Sequence, residues 1–404
     1  MTLGSQQAEK RIRHCMVVHA TYPLGETRVE REALALVDQD FGVDVICLRG
    51  TAEPATERVE GVQVHRLPVR RNKGRGPVSQ FIEYLIFFTL VSIKLAGLHR
   101  RRRYHIVQVH NLPDFLIFAA WLPRLFGARL ILDLHDLMPE FYAARFGSSM
   151  SSWPSRLLRW QERLSCRFAH HVITVTEPWR ETLIRRGIPG DKITVVMNVA
   201  DTRVFRAEDH PETAAHDNER FTLVYHGNIT YRYGIDLAVL ALDRVRQTIP
   251  NIHFRIHGYG DYADRLEQLI KELGLQDHVT FTTRAIPTAE LPKLINRADV
   301  GVVPYRRDVF TDGILPTKLM EYAALEKPVI TARTPAIEAY FDDTMVQFFE
   351  PGSADDLAEC ILSLYKEQGR LENLRIGIRR FNELYSWTKA AAKYVALAEE
   401  LAGE

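Results

Sequence analysis

Residues 306 to 330, "RRDVFTDGILPTKLMEYAALEKPVI", crowd Asp312, Gly313, Pro316, Lys318 and Glu321 around the start of an apolar-periodic helix. Pro316 suits the first helical turn, where its missing N–H costs nothing, and Gly313 lets the preceding loop turn with a positive φ. Leu319, Tyr322, Ala323 and Leu325 are spaced to pack inward, while Lys318 and Glu321 project from one side. A loop of free amides beside a lysine can hold an anion, and a carboxylate can accept hydrogen bonds from hydroxyls. The competing reading is a capped helix with a surface ion pair, which prevails for an isolated stretch. A second constellation is His135 and Asp136, closing the run "LILDLHD". A lone histidine near a sheet edge reads as structural; at a strand's carboxyl end facing a cleft it reads as functional.

The elements that must position these residues are short apolar runs alternating with helical stretches. Seven runs precede residue 200: 14 to 20, 43 to 48, 62 to 67, 105 to 110, 129 to 135, 171 to 176 and 193 to 197. Six follow residue 220: 221 to 227, 252 to 258, 279 to 282, 299 to 305, 328 to 332 and 344 to 349. Nearly continuous apolar character is what strands buried on both faces of a parallel sheet require. A polar stretch at 206 to 220 interrupts the series and reads as an interdomain linker. The expectation is an α/β chain of two doubly wound, Rossmann-like domains, 1 to 205 and 206 to 377, with ligands at strand carboxyl ends in a cleft between them.

Charge divides the same way. Residues 1 to 205 hold 29 Lys/Arg against 20 Asp/Glu, and residues 206 to 404 hold 23 against 31. The basic first half points to an anionic partner, which charge alone does not identify. Cys15, Cys47, Cys166 and Cys360 lack metal-ligand spacing and read as reduced packing residues of a cytoplasmic protein. The N-terminal residues show no apolar stretch of secretory-signal type. Residues 78 to 103 are apolar apart from a stripe of Ser79, Glu83, Lys94 and Arg101, and the uncharged run from 84 to 93 is too short to span a bilayer. This segment reads as a core helix or as a helix lying on an anionic membrane, with Arg70, Arg71, Lys73 and Arg75 before it and arginines 100 to 103 after it.

The order of motifs resembles the family-4 glycosyltransferases of the GT-B fold over nearly the whole chain. "TYPLGETRVEREALALV", "LILDLHDLMPEFY", "ITVTEPWRETLIRRGIPGDKITVVMNVADTRVF", "LVYHGNITYRYGIDLAVLAL", "FRIHGYGDYADRLEQLIKELGLQDHVTFTT", "ELPKLINRADVGVVPY" and "LPTKLMEYAALEKPVI" occur in the family's sequence, and residues 378 to 404 resemble its C-terminal helix returning to the first domain. The resemblance implies a nucleotide-sugar donor of UDP or GDP type, retention of anomeric configuration, independence of metal and of any further cofactor, and no nucleic-acid partner. It also implies that His135 contacts the transferred sugar with Asp136 beside it, and that Glu321 holds the ribose diol. Departing phosphate needs donors and positive charge, and the strand-end turns offer Gly25, Gly227, Gly258, Gly260 and the loop Gly313, Ile314, Leu315, Pro316, Thr317 and Lys318.

The chain also departs from the family. An Arg and a Lys that usually reach the diphosphate are replaced here by Asn228 and Tyr233, and Gly313 stands where a second glutamate is usual, with Asp312 adjacent. A subset with a signature close to "RRDxFTD…LPTKLxEY" suggests relocation: Lys318, Arg306 or Arg307, and Arg232 would carry the missing charge. The leading expectation is a hexosyltransferase acting on a glycan or lipid-linked acceptor in cell-surface polysaccharide or glycolipid synthesis, cytoplasmic or peripheral on the inner membrane face. The alternatives are a catalytically weak GT-B binding module and a sugar-nucleotide epimerase.

Overall fold

The computed structural model describes residues 11–23, 26–69, 77–207, 220–284 and 286–403. Gly25, Arg70, Arg71, Lys73, Arg75 and most of the 206 to 220 stretch lie outside them. The chain divides into two compact units. Unit 1 comprises Met1–Val175, Trp179–Val196 and Ala390–Glu404, and unit 2 comprises Thr176–Pro178 and Met197–Lys389.

Unit 1 is built on β1 (Arg13–Thr21), β2 (Gly42–Leu48), β3 (Thr56–Val59), β4 (Val62–Leu67), β5 (Ile106–His110), β6 (Arg129–Leu134), β7 (His171–Thr174) and β8 (Ile193–Val195). They form one sheet in the order β3-β4-β2-β1-β5-β6-β7-β8, parallel except where β3 pairs antiparallel with β4. All the expected strands occur here. β3 is the addition, a polar hairpin arm closed by Glu60 and Gly61, both at positive φ. Its residues carry no apolar alternation, so the pattern that exposes buried strands passes over it. Strand order reverses at β1, which lies between β2 and β5.

Unit 2 carries β9 (Phe221–His226), β10 (Ile252–His257), β11 (Val279–Thr282), β12 (Val300–Val303), β13 (Val329–Ala332) and β14 (Gln347–Phe349). All are parallel in the order β11-β10-β9-β12-β13-β14, with the reversal at β9. The fold is two doubly wound α/β sheets, in which ligands bind beyond the carboxyl ends at such reversals.

The boundaries differ from the sequence expectation. The division falls after Val196 rather than at 205, and the returning segment begins at Ala390 rather than at 378. The helix Gln368–Leu384 stays with unit 2, where Phe381 stacks on Phe341 at 4.2 Å and the Asn382 amide donates to the Ala323 carbonyl at 2.7 Å. The helix Trp387–Gly403 delivers Tyr394, Leu397, Ala398 and Leu401 into the unit 1 core. The four cysteines are buried and unpaired.

The helix Pro77–Arg102 has one face in the core, through Tyr84, Phe87, Val91 and Leu95, and Glu83 lies 3.2 Å from His19 of β1. Its other face exposes Phe81, Ile82, Leu85, Ile86 and Ile93. By length and composition it is apolar enough to cross a bilayer, contrary to the estimate from its uncharged run, because the helix continues through Ser92, Lys94 and beyond. The core reading holds for one face of the helix, and the opposite face is exposed and apolar.

Candidate active site

In unit 1 the strand ends gather a buried polar cluster. β6 carries Asp133 as the one charge in its buried run, and His135 follows its last residue, Leu134. Asp133 is fully buried, and so is Arg28, which comes from the helix Thr27–Val37. The guanidinium grips the carboxylate with Nε at 3.1 Å from Oδ2 and Nη2 at 3.2 Å from Oδ1, and Nη1 donates to the Val196 carbonyl at 2.9 Å. The same guanidinium lies 3.0 Å from Glu32, one turn on. Gln108 of β5 donates to Glu32 at 2.8 Å and accepts from the Tyr394 hydroxyl at 2.6 Å.

His135 Nε2 stands 3.2 Å from Asp133 Oδ2, and its Nδ1 points toward Glu26, 4.0 Å away. Its backbone is held by Asn111, whose carbonyl oxygen accepts from the His135 N–H at 2.9 Å and whose amide donates to the Asp136 carbonyl at 2.5 Å. Burial opposes charge on His135, but Asp133 outweighs it by both charge and hydrogen bond, raising the imidazole above its ordinary value. Burial would likewise raise Asp133, yet Arg28 and then His135 hold it well below the usual carboxylate range. Burial pushes Asp136 up to about 6 against the pull of His135. His110, buried at the end of β5, is lowered by burial.

His110 Nδ1, Asp133 Oδ2 and His135 Nε2 are close enough together to hold a metal ion, with His110 3.1 Å from each of the other two. Arg28 Nε donates to the same carboxylate oxygen, so a divalent ion would sit against a guanidinium. The donor set suits proton sharing better than metal ligation.

In unit 2 the second cluster stands at the β9 reversal. Lys318, on the helix Thr317–Ala324, is buried. Its Nζ donates to the Tyr305 hydroxyl at 2.9 Å and lies 5.0, 5.0 and 4.9 Å over the rings of Tyr225, Tyr233 and Tyr305. Tyr233 and Tyr305 stack at 4.5 Å. Such a cage stabilises a desolvated ammonium by about 2 kcal/mol or more per good face. Burial still draws Lys318 down to about 8, with Glu321 acting the other way. The competing reading of Lys318 and Glu321 as a surface ion pair is thus set aside, because the lysine turns inward. Glu321 Oε2 lies 3.1 Å from Nε2 of His226, the last residue of β9. Burial, and then Lys318, bring His226 down to about 3, so a neutral imidazole faces this carboxylate.

Glycines at these strand ends let two loops touch. A Cβ on Gly258 would lie 1.9 Å from the Gly227 carbonyl oxygen, and one on Gly260 would lie 2.0 Å from that of Ile229. Gly227 has φ +114°, and a Cβ there would meet Lys318 Cε at 3.3 Å. Asn228 is exposed on the same loop, its carbonyl accepting from the Tyr225 hydroxyl at 2.6 Å.

The remaining candidates are dispersed. Arg306 makes a bidentate pair with Asp236, 2.7 Å at each nitrogen, and lies 4.0 Å over the Tyr231 ring. Arg307 pairs with Asp312 at 3.0 Å on the surface. Arg232 lies 5.6 Å over the Phe310 ring with Asp308 4.0 Å away. Gly313, Ile314 and Leu315 are half-buried, Pro316 is buried just before the helix, and Thr317 is exposed. Gly313 has no positive φ, contrary to expectation. Asp308 and Thr311 build that turn instead: Asp308 Oδ1 accepts from the Phe310 and Thr311 N–H groups at 2.8 and 2.7 Å, and the Thr311 hydroxyl donates to the Arg306 carbonyl at 2.6 Å.

Sequence reasoning passed over Arg28, Glu32, Gln108, His110, Asn111, Asp133, His226 and, of the caging tyrosines, Tyr225 and Tyr305. A signal existed for some: Asp133 is a charge inside a buried strand, and Arg28 with Glu32 are charges one turn apart on an amphipathic helix.

Residues 25–198 match the family described as Glycosyl transferase 4-like domain, and residues 206–381 match Glycosyl transferases group 1. A GDP-mannose-dependent alpha-(1-6)-phosphatidylinositol monomannoside mannosyltransferase of Mycobacterium tuberculosis is 30% identical over 309 residues, 68% of this chain and 78% of that protein. An uncharacterized glycosyltransferase of Methanocaldococcus jannaschii is 24% identical over 378 residues, 90% of each. Among solved structures, sucrose-phosphate synthase from Thermosynechococcus elongatus shares the fold with a TM-score of 0.77 at 19% identity, covering 97% of this chain and 99% of that one.

Proposed function

The chain belongs to the family-4 glycosyltransferases of the GT-B fold, and on that premise we propose that it is a retaining, metal-independent enzyme. It moves a hexose-type sugar from a nucleoside-diphosphate sugar to a glycan or lipid-linked acceptor at the cytoplasmic membrane face. The observation that carries this reading is Lys318, a buried cation at the β9 reversal with Glu321 three residues on.

A departing diphosphate develops about two negative charges, and a helix end offers only about half a charge. Lys318 adds a full positive charge without a divalent ion, close to the Gly227 turn. Glu321, set against neutral His226, accepts from the ribose hydroxyls. His135, fixed by Asp133 below and Asn111 behind, presents its outer edge to the sugar. A contact that tightens as charge develops at the anomeric carbon accelerates transfer more than it aids binding. The mannosyltransferase relative makes GDP-mannose the first donor to try.

The test is slow hydrolysis of a panel of UDP- and GDP-sugars, with and without chelator, followed by NMR of the released or transferred sugar. Release of nucleoside diphosphate that is insensitive to chelator, with the donor's anomeric configuration kept in the product, supports the reading. Loss of turnover with chelator removes metal independence, inversion removes retention, and binding of every donor without turnover leaves a binding module.

A further inference from the structure

Unit 1 carries an exposed face that the transfer chemistry does not use. The helix Trp153–Phe168 turns Trp153, Arg156, Leu157, Trp160, Arg163 and Arg167 outward along one helical stripe, with Trp153 75% and Trp160 57% exposed. Between residues 137 and 168 the carboxylates are Glu140 and Glu162 alone, and both are buried and bonded to Arg186, Glu162 at 2.8 and 2.9 Å. Every acid of this segment faces inward. Along the helix Trp153–Phe168 the exposed side chains are arginine and apolar.

The stripe continues into neighbouring elements. Phe168 packs on Phe118 at 5.0 Å, and Phe115, on the same 3-10 turn as Phe118, meets Phe81 and Phe88 of the helix Pro77–Arg102 at 6.4 and 6.0 Å. That second helix exposes its own apolar face and ends in exposed Arg100, Arg101 and Arg102.

We propose that this face, led by the helix Trp153–Phe168, docks on the surface of an anionic lipid bilayer. The indoles of Trp153 and Trp160 sit at headgroup depth and Arg156, Arg163 and Arg167 pair with lipid phosphates. Indoles suit this boundary because one side is apolar and the ring N–H remains wet. Arginine binds phosphate in a bidentate way. Charge complementarity selects this occupant over a second copy of the chain, since an isologous pairing would oppose one arginine stripe with another. The docking needs no transmembrane passage.

The full chain is mixed with vesicles of phosphatidylcholine alone or with phosphatidylglycerol, and both sedimentation and indole emission are read at low and high salt. The wild type sediments with the anionic vesicles, weakly with neutral ones, and its emission shifts to shorter wavelength. Trp153→Ser with Trp160→Ser lowers vesicle affinity at least tenfold. Arg156→Gln, Arg163→Gln and Arg167→Gln together lower it by about fivefold per arginine and flatten the salt dependence. The side chains are exposed, so circular dichroism and donor hydrolysis stay at wild-type values in both variants. A folded wild type that leaves anionic vesicles unbound overturns the proposal, as does equal binding by the tryptophan variant or a lipid-free dimer that the tryptophan variant dissociates. These readouts need no turnover, so they stand apart from the transfer reaction.

Discussion

Lys318 Nζ lies 5.0 Å over the ring of Tyr233, the residue at which the family resemblance leads one to expect a lysine. A cation thus stands beside that residue, delivered by a different element, with the aromatic ring as its support. We propose that the missing charge is relocated to Lys318 rather than to the arginines.

Replacing Lys318 with Met should weaken nucleoside-diphosphate binding by more than about tenfold, roughly 1.4 kcal/mol. The effect has a pH signature. Burial sets Lys318 at about 8 in the free protein, and a bound diphosphate holds that proton more tightly. Affinity should be level below pH 8 and decline as pH rises through 8, while Lys318→Met is insensitive to this interval. Calorimetry across that range decides the matter; a wild-type profile identical to the variant's removes the lysine from the phosphate site.

Glu321→Gln should weaken nucleoside-diphosphate binding and Glu321→Ala should do so further, since hydrogen bonds to a charged group contribute about 1.5 to 3 kcal/mol each. A 2′-deoxyribose donor should lose affinity for the wild type and show little difference between wild type and Glu321→Ala. If the deoxy donor discriminates equally in both, the carboxylate binds something other than ribose.

His135→Ala should lower single-turnover transfer far more than donor affinity if, as proposed, its contact is to the reacting sugar. Asp133→Asn tests the support beneath it. Without the carboxylate charge, burial should carry the His135 imidazole below its ordinary value, and NMR titration of the labelled ring reads that directly. The same substitution removes one of the two carboxylates that face buried Arg28, leaving Glu32 at 3.0 Å, and should cost up to about 3 kcal/mol of stability. An unchanged His135 titration in a folded Asp133→Asn protein would show that Glu26 sets the proton instead.

The strands of both sheets were legible because residues buried on two faces leave unbroken apolar runs, as in "ILDL" and "GVV". β3 was not, because "TERV" is largely exposed and held by hairpin pairing with β4. At the site, His135, Asp136, Lys318 and Glu321 stood out because ionisable groups at strand or helix ends are visible locally. The cage around Lys318 was hidden: Tyr225, Tyr233 and Tyr305 come from three separate segments, and no local pattern announces their convergence. The domain boundary misled because a polar stretch marks where solvated chain runs, whereas the contact division depends on what Met197 and the residues after it pack against.

Arg306 separates a structural cation from a phosphate-binding one. It was among the candidates to replace the missing charges, yet its two terminal nitrogens are taken by Asp236, 70 residues away in sequence, and its backbone N–H donates to the Arg232 carbonyl at 3.0 Å. A bidentate pair of this kind, side chains 20% and 9% exposed, joins the loop after β12 to the helix after β9. Arg306→Ala should destabilise the protein by about 1.5 to 3 kcal/mol, read as a lowered denaturation midpoint. Asp236→Ala should cost a similar amount and the double variant much less than the sum, giving a clear interaction energy in the double-mutant cycle. Nucleoside-diphosphate affinity, measured below the unfolding transition, should stay within about threefold of wild type in Arg306→Ala, because the charge removed was already neutralised. A tenfold loss of affinity with additive stability effects would mean that the pair opens for the donor, and that the arginine shares the diphosphate with Lys318.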